Sequence, residues 1–246
     1  MFILSYLIVI ILGLYLGSFL TAMSLRVVNN QKLFSKHSFC DSCGARIKFF
    51  SLIPVIGYLS SKGRCLFCKN KISVKYTIWE IVYCCIFVLN FAVFGNNIPS
   101  FLTFTLLTFT MFVIAVIDFE TMYVYNIHIF IFGIFLAAFL YINNILQIEL
   151  LSFISAFIPP FFKISYEYVR QKVTKNKVTV IGWGDVCIFI ILFFLLDFLN
   201  IAIIIFISGL FGVFFGILRN RSIYTHYPFI PSISLAVYTI FIWKFL

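Results

Sequence analysis

The chain has 246 residues, of which 63% are hydrophobic and 11% are charged. This composition excludes an ordinary soluble globular domain, in which about half of the residues are apolar and about a quarter are charged. The formal net charge is +10, and the cytoplasmic loops of membrane proteins carry such an excess of lysine and arginine. The composition therefore predicts a multi-pass protein of the lipid bilayer. Membrane topology is the favoured explanation of the charge, with a partner such as anionic lipid or nucleic acid as the alternative, and no nucleic-acid partner is expected.

Apolar runs recur along the chain and predict an all-α, polytopic membrane bundle of about eight transmembrane helices. The expected spans are Met1–Leu25, Ile78–Phe94, Phe101–Ile117, Ile127–Ile142, Leu150–Ile164, Val186–Leu196, Ile201–Leu218 and Ile230–Phe245. Pro159-Pro160 interrupts the fifth run, and the sixth is short, because a spanning helix needs about 20 apolar residues. Seven spans is therefore the alternative.

Basic residues are concentrated in alternate loops between these runs. The stretch Arg26–Lys75 holds ten lysines or arginines and Arg170–Lys177 holds four, whereas residues 95–100 hold none. With eight spans and an outside N-terminus, every basic loop falls on the cytoplasmic side, including the loop with Arg219 and Arg221. No basic segment precedes the first run, so we interpret it as a retained anchor and not as a cleaved signal peptide.

Two C-x-x-C motifs lie in a hydrophilic loop of residues 26–76, which separates the first helix (residues 1–25) from the remaining membrane domain (77–246). The motifs are formed by Cys40 and Cys43, and by Cys65 and Cys68. Four thiolates at this spacing are typical of a zinc ribbon and fill all four coordination positions, so the predicted metal is a structural zinc ion. Disulfides are the alternative, which the expected cytoplasmic placement disfavours.

Two aspartates are expected at the same, cytoplasmic membrane face. Asp118 ends the third run, and Asp185 opens the sixth. Two carboxyl groups brought close can share a proton, so that one acts as a base on water while the other polarises a peptide carbonyl. The ordinary alternatives are a helix cap for Asp185 and a solvated helix end for Asp118. Glu120 is a competing acid that spacing alone does not exclude.

Three further residues are candidates for contact with a substrate. Gly182 and Gly184 lie three positions and one position before Asp185. They carry no side chain, so a peptide backbone could approach that carboxylate closely. Glu80 lies just inside the second run. It could bind a substrate amino group, or it could be a paired acid beside Lys75, and the sequence does not separate these two interpretations.

Five segments in order carry a resemblance that covers nearly the whole chain. They are "GLYLGSFLTAMSLRV", the cysteine loop from "CDSCG" through "KYTIWEIVY", "IDFETMYVYN", "GWGD" and "HYPFIPSISLAVY". With these segments the chain resembles the prepilin peptidases, also called type IV leader peptidases or the A24 family, which are bacterial GxGD-type aspartic proteases of the membrane.

The resemblance implies an aspartic endopeptidase of the bacterial inner (cytoplasmic) membrane that cuts the short basic leader of a type IV prepilin or pseudopilin precursor after a glycine, on the cytoplasmic side. By motif, Asp118 and Asp185 are the catalytic pair, and Glu120 is a neighbouring acid that is not catalytic. Many family members then methylate the new N-terminus with S-adenosylmethionine. Thr21 stands where the family usually has asparagine, which leaves this second, methyltransferase activity open. Tyr125-Asn126 likewise replaces a common Pro-Asp and spares Asp118.

Two rival functions make different predictions. A non-enzymatic membrane scaffold, whose zinc loop binds a partner, would tolerate loss of both aspartates. A GxGD protease that acts on signal-peptide remnants would cut within an apolar span, and not after a leader glycine.

Overall fold

The computed structural model describes residues 2–33, 38–40, 42–47, 49–146, 148, 150–174, 182–218 and 228–246. Within these ranges the regular structure is helical, and the pairing of extended residues is limited to two isolated bridges. The helices are α1 (Phe2–Val28), α2 (Ile56–Ser60), α3 (Lys75–Phe94), α4 (Ile98–Thr121), α5 (Asn126–Ile142), α6 (Leu150–Ser155), α7 (Ile158–Thr174), α8 (Trp183–Leu195), α9 (Phe198–Leu218) and α10 (Ile230–Phe245), with a 3-10 turn at Phe49–Leu52. The all-α prediction is confirmed.

The chain forms two compact units, Met1–Gly95 and Asn96–Leu246. In the first unit, α1 packs along α3, and two glycines of α1 allow close approach. A Cβ on Gly17 would lie 2.7 Å from the backbone oxygen of Glu80, and one on Gly13 would lie 3.3 Å from the Cα of Cys84. Small residues four apart are a common way for membrane helices to bring their backbones together.

The second unit is built around α4, whose residues from Thr110 to Asp118 are all buried. This helix packs against α5 and α10, while α8 packs against α5, α6 and α7. At its start, the Asn97 side chain accepts a hydrogen bond from the Ser100 N–H at 3.3 Å, as an N-cap does. At its end, Met122 adopts the left-handed conformation and donates its N–H to the Asp118 carbonyl. This stop places Asp118 in the last turn of α4.

Among the described residues, three helices are long and apolar enough to cross a membrane, Ile3–Val28, Lys75–Phe94 and Ile98–Thr121. Four further apolar helices are shorter, with 10–17 residues each: Asn126–Ile142, Trp183–Leu195, Phe198–Phe214 and Ile230–Phe245. The structure therefore supports a membrane protein, and the count of eight spans stays a prediction. Arg219 and Arg221, which helped to set that count, lie outside the described residues.

The fifth expected span differs most from the structure. The run Leu150–Ile164 is not one helix, because α6 ends at Ser155 and α7 begins at Ile158. The break comes before the two prolines and not at them, since Pro159 and Pro160 occupy the first turn of α7. Proline is tolerated there because the first N–H groups of a helix have no partner within the helix.

Candidate active site and metal centre

The four predicted ligand cysteines are brought together by two similar turns in the first unit. In one turn the Cys40 N–H donates to the Ala45 carbonyl, and the Cys40 carbonyl accepts a hydrogen bond from the Gly44 N–H. In the other, the corresponding pair of bonds joins Cys65 to Asn70 and Lys69. Gly44 and Lys69 occupy equivalent positions and both have positive φ, 68° and 60°. Each C-x-x-C motif thus folds into its own tight knuckle.

The sulfur atoms of Cys40, Cys43, Cys65 and Cys68 all lie within 4.8 Å of one another. The Cys40 and Cys68 sulfurs are 3.9 Å apart, and a tetrahedral site with zinc–sulfur bonds of about 2.3 Å requires sulfurs about 3.8 Å apart. Backbone N–H groups of Cys68 and Phe67 lower the pKa of Cys65 to about 6, whereas burial and the neighbouring cysteine sulfurs raise the pKa of Cys68 to about 11. Cys65 is therefore the thiol of this pair that more readily forms the thiolate that binds metals. The donor set fits a four-coordinate metal ion.

Asp118 is a buried carboxyl group, with 5% of its surface exposed. Its Oδ2 accepts a hydrogen bond of 3.2 Å from the backbone N–H of Ile230, the first residue of α10. The N-terminus of a helix favours a negative or hydrogen-bond-accepting group. By contrast, Glu120 is exposed, although it lies only two residues further along α4.

Asp185 is the third residue of α8, whose N-cap is Gly182. The alternative interpretation from the sequence, in which Asp185 is the N-cap of this helix, is therefore wrong, because the N-cap lies three residues earlier. The half-buried carboxylate reaches back and accepts the Gly182 N–H at 3.2 Å. An acid at this third position commonly satisfies the first free N–H group of its helix in this way. This bond holds the carboxylate beside the GxGD turn.

Asp118 and Asp185 lie close enough to each other in the second unit for their charges to interact. They come from α4 and α8, which are distant in sequence. A third charged group joins them from α7. The side chain of Lys163 is 2% exposed and interacts electrostatically with Asp185. Sequence patterns did not single out this lysine or the Ile230 N–H, because only packing brings them to the aspartates.

Gly184 is pressed against a side chain of its own unit. A Cβ on Gly184 would lie 3.1 Å from the Cβ and 3.2 Å from the Cγ2 of Val124, in the segment between α4 and α5. A Cβ on Gly182 would lie 3.3 Å from Oδ2 of Asp185. The two glycines therefore permit close packing around Asp185, and their predicted contact with a substrate backbone stays a prediction.

Glu80 holds a strained turn in the first unit. Val55 has φ 62° and ψ −52°, and the Ile56 N–H donates to the Pro54 carbonyl at 2.6 Å. These features define a γ-turn, a rare conformation for a β-branched residue. The Oε2 of Glu80 accepts the Val55 N–H at 2.9 Å. The structure thus gives Glu80 an intramolecular partner that neither sequence interpretation anticipated.

Two family models match the chain. Residues 11–94 match the bacterial Peptidase A24 N-terminal domain, and residues 105–217 match the Type IV leader peptidase family. The boundary between the two matches falls where the fold divides into its two units.

Individual proteins give the same result. The chain is similar to the prepilin leader peptidase/N-methyltransferase of Vibrio cholerae, with 30% identity over 190 residues, which cover 72% of this chain and 71% of the relative. It is 28% identical to the protein of that name from Bacillus subtilis over 231 residues, which cover 92% of this chain and 90% of the relative. No solved structure matches the chain.

Proposed function

Because the chain belongs to the type IV leader peptidase family, we propose that it removes the short basic leader from a type IV prepilin or pseudopilin precursor, after the leader's last glycine. The observation that supports this proposal is that Asp118 and Asp185, 67 positions apart in the sequence, lie close enough in the second unit for their charges to interact. We assign the peptidase chemistry to residues 77–246, and we place the enzyme in the bacterial inner membrane with cleavage on the cytoplasmic side.

The chemistry needs one proton shared by the two carboxyl groups. Asp185, as the carboxylate, takes a proton from water while the water oxygen forms a bond to the scissile carbonyl carbon. Asp118, protonated and held by the Ile230 N–H, gives its proton to the carbonyl oxygen. Such paired acid and base roles suit two carboxyl groups in different environments.

The tetrahedral intermediate then carries two hydroxyl groups on the former carbonyl carbon. When the carbon–nitrogen bond breaks, the proton on Asp185 moves to the leaving amine. One hydroxyl proton returns to Asp118 as the carbonyl re-forms. The products are the leader with a C-terminal carboxyl group and the mature protein with a free amino terminus, and the pair is ready for another water molecule.

We further propose that Cys40, Cys43, Cys65 and Cys68 bind one structural zinc ion. When bound, zinc would supply folding energy to the loop, because four thiolates leave no open position for a substrate. Methylation with S-adenosylmethionine is suggested by the names of the relatives. Thr21, where the sequence departs from the family pattern, is 3% exposed and packed inside the first unit, so we derive no step through that cofactor.

The test is cleavage by the purified full-length protein in lipid nanodiscs. The substrate is a precursor with a short basic leader, a glycine, a phenylalanine and then an apolar helix. Mass spectrometry should find a single cut after the glycine. A precursor with valine in place of that glycine is the control and should be cut far less. Cleavage within the apolar helix would favour the rival protease, and no cleavage would contradict the proposal.

A further inference from the structure

Lys163 is a charged side chain in an unusual position. It lies on α7 in the second unit, and its side chain is only 2% exposed. Burial of an ammonium group costs several kcal/mol unless opposite charges or aromatic faces compensate it. A buried lysine in an apolar unit is therefore expected to have partners that justify it.

Partners of Lys163 lie on both α7 and α8. On α7, its Nζ is 3.6 Å from Oε1 of Glu167, one turn along. On α8, its Nζ lies 4.3 Å from the ring centroid of Trp183, and its charge attracts Asp185. Glu167 is 29% exposed, so water also stabilises that carboxylate. Trp183 and Asp185 both belong to the first turn of α8. Lys163 therefore links its own helix, α7, to this turn.

The two aspartates are consequently unequal. Asp118 is 5% exposed and receives its hydrogen bond from a neutral backbone N–H. Asp185 is half-buried, receives a backbone N–H from Gly182 and lies in the field of a cation. When the pair shares one proton, the negative charge is better stabilised on Asp185.

We propose that Lys163 is a positioning residue, which keeps Asp185 as the water-activating carboxylate and fixes the first turn of α8 through Trp183. This inference rests on the proposed peptidase function and deepens it, because it assigns the base role to Asp185 and the acid role to Asp118. Lys163 need not touch the substrate to act in this way.

The test compares two substitutions of similar length in the full-length enzyme in nanodiscs. Lys163→Arg keeps the positive charge and the aromatic contact, and Lys163→Met keeps much of the volume and removes the charge. We expect Lys163→Met to lower kcat about 10- to 100-fold, less than the loss of a catalytic acid or base, with KM changed less than about threefold. Lys163→Arg should retain at least about a third of the wild-type kcat. Lys172→Met, on an exposed position of the same helix, is the control and should leave kcat unchanged.

Thermal unfolding of each variant separates charge from packing. If Lys163 has only a structural role, each variant should lose kcat in proportion to its loss of stability. The loss of kcat would then be equal in Lys163→Met and Lys163→Arg, or larger in Lys163→Arg because arginine is bulkier. That result, or a Lys163→Met variant with wild-type kcat, would overturn the proposal. If Lys163→Met does not fold, Lys163→Gln replaces it as the uncharged variant and is compared with Lys163→Arg. Asp185→Asn is measured in parallel, because activity in that variant would contradict the catalytic pair itself and not only the role of Lys163.

Discussion

The carboxyl group of Asp118 accepts a hydrogen bond from the backbone N–H of Ile230, 112 positions further along the chain, at 3.2 Å. This bond joins the last turn of α4 to the first turn of α10. It places a buried acid at the positive end of a helix, where a hydrogen-bond-accepting carboxyl group is stabilised. Among the described residues, Lys163 contributes a positive charge that acts on the other aspartate.

The packing of Gly184 leads to a first prediction. Substitution of Gly184 by alanine should lower cleavage moderately, and substitution by valine should lower it steeply, because the new atoms would overlap Val124. Overpacking of this kind typically costs about 1 to 3 kcal/mol. The measurement is precursor cleavage at equal amounts of enzyme in the membrane.

The double variant Gly184→Ala/Val124→Ala separates packing from substrate approach. If Val124 is the obstacle, its truncation should restore part of the activity lost in Gly184→Ala, since two residues in contact do not act additively. Val124→Ala alone provides the matched control. Val124→Ala removes the Cγ2 contact and keeps the Cβ contact at 3.1 Å, so Gly184→Ala/Val124→Gly is measured as well. If neither truncation restores activity, the glycine is required for another reason, such as the approach of the substrate backbone to Asp185.

A second prediction concerns the metal. The wild-type protein should contain about one zinc ion per chain, and replacement of Cys40 and Cys65 together by alanine should release it. Replacement of Cys84 and Cys85, which lie in α3 outside the four-cysteine cluster, is the control and should leave zinc bound. Elemental analysis of purified protein makes the measurement. Wild-type protein that lacks zinc after gentle purification would contradict the assignment.

A third prediction concerns Glu80. Glu80→Ala should destabilise the first unit by about 1 to 3 kcal/mol, because the Val55 N–H loses its acceptor. Glu80→Gln keeps an oxygen acceptor, so most of the stability should remain. The stability of the loop in the two variants is compared by chemical denaturation, with proteolysis as the probe of unfolding.

Kinetic measurements on the same variants test the substrate-binding alternative for Glu80. If its charge binds the substrate, Glu80→Gln should raise KM as much as Glu80→Ala does while stability stays near that of the wild type. If Glu80 serves the γ-turn, Glu80→Gln should have a nearly normal KM.

The local parts of the site could be predicted from the sequence. The two cysteine knuckles form within short turns, so the spacing of Cys40, Cys43, Cys65 and Cys68 was enough to predict that their sulfurs converge. The helical character of the apolar runs was equally accessible, because it follows from composition and run length.

What the sequence did not reveal depends on contacts between distant segments. Lys163 fell inside the fifth expected span and no motif singled it out, because its burial against Trp183 follows only from the packing of α7 on α8. The fifth span was mistaken because a run of apolar residues does not show where a helix stops. The break between Ser155 and Ile158 precedes the prolines that were expected to cause it.

We propose above that Asp118 and Asp185 together catalyse leader cleavage. The most direct test is single-turnover cleavage of the precursor by Asp118→Asn and by Asp185→Asn, each at the wild-type level in nanodiscs, with the exposed Glu120→Gln as the control. Each aspartate variant should lose at least about 100-fold in rate, because each carboxyl group transfers a proton in the reaction, whereas Glu120→Gln should cleave normally. Near-normal turnover by either aspartate variant would show that Asp118 and Asp185 are not the catalytic pair.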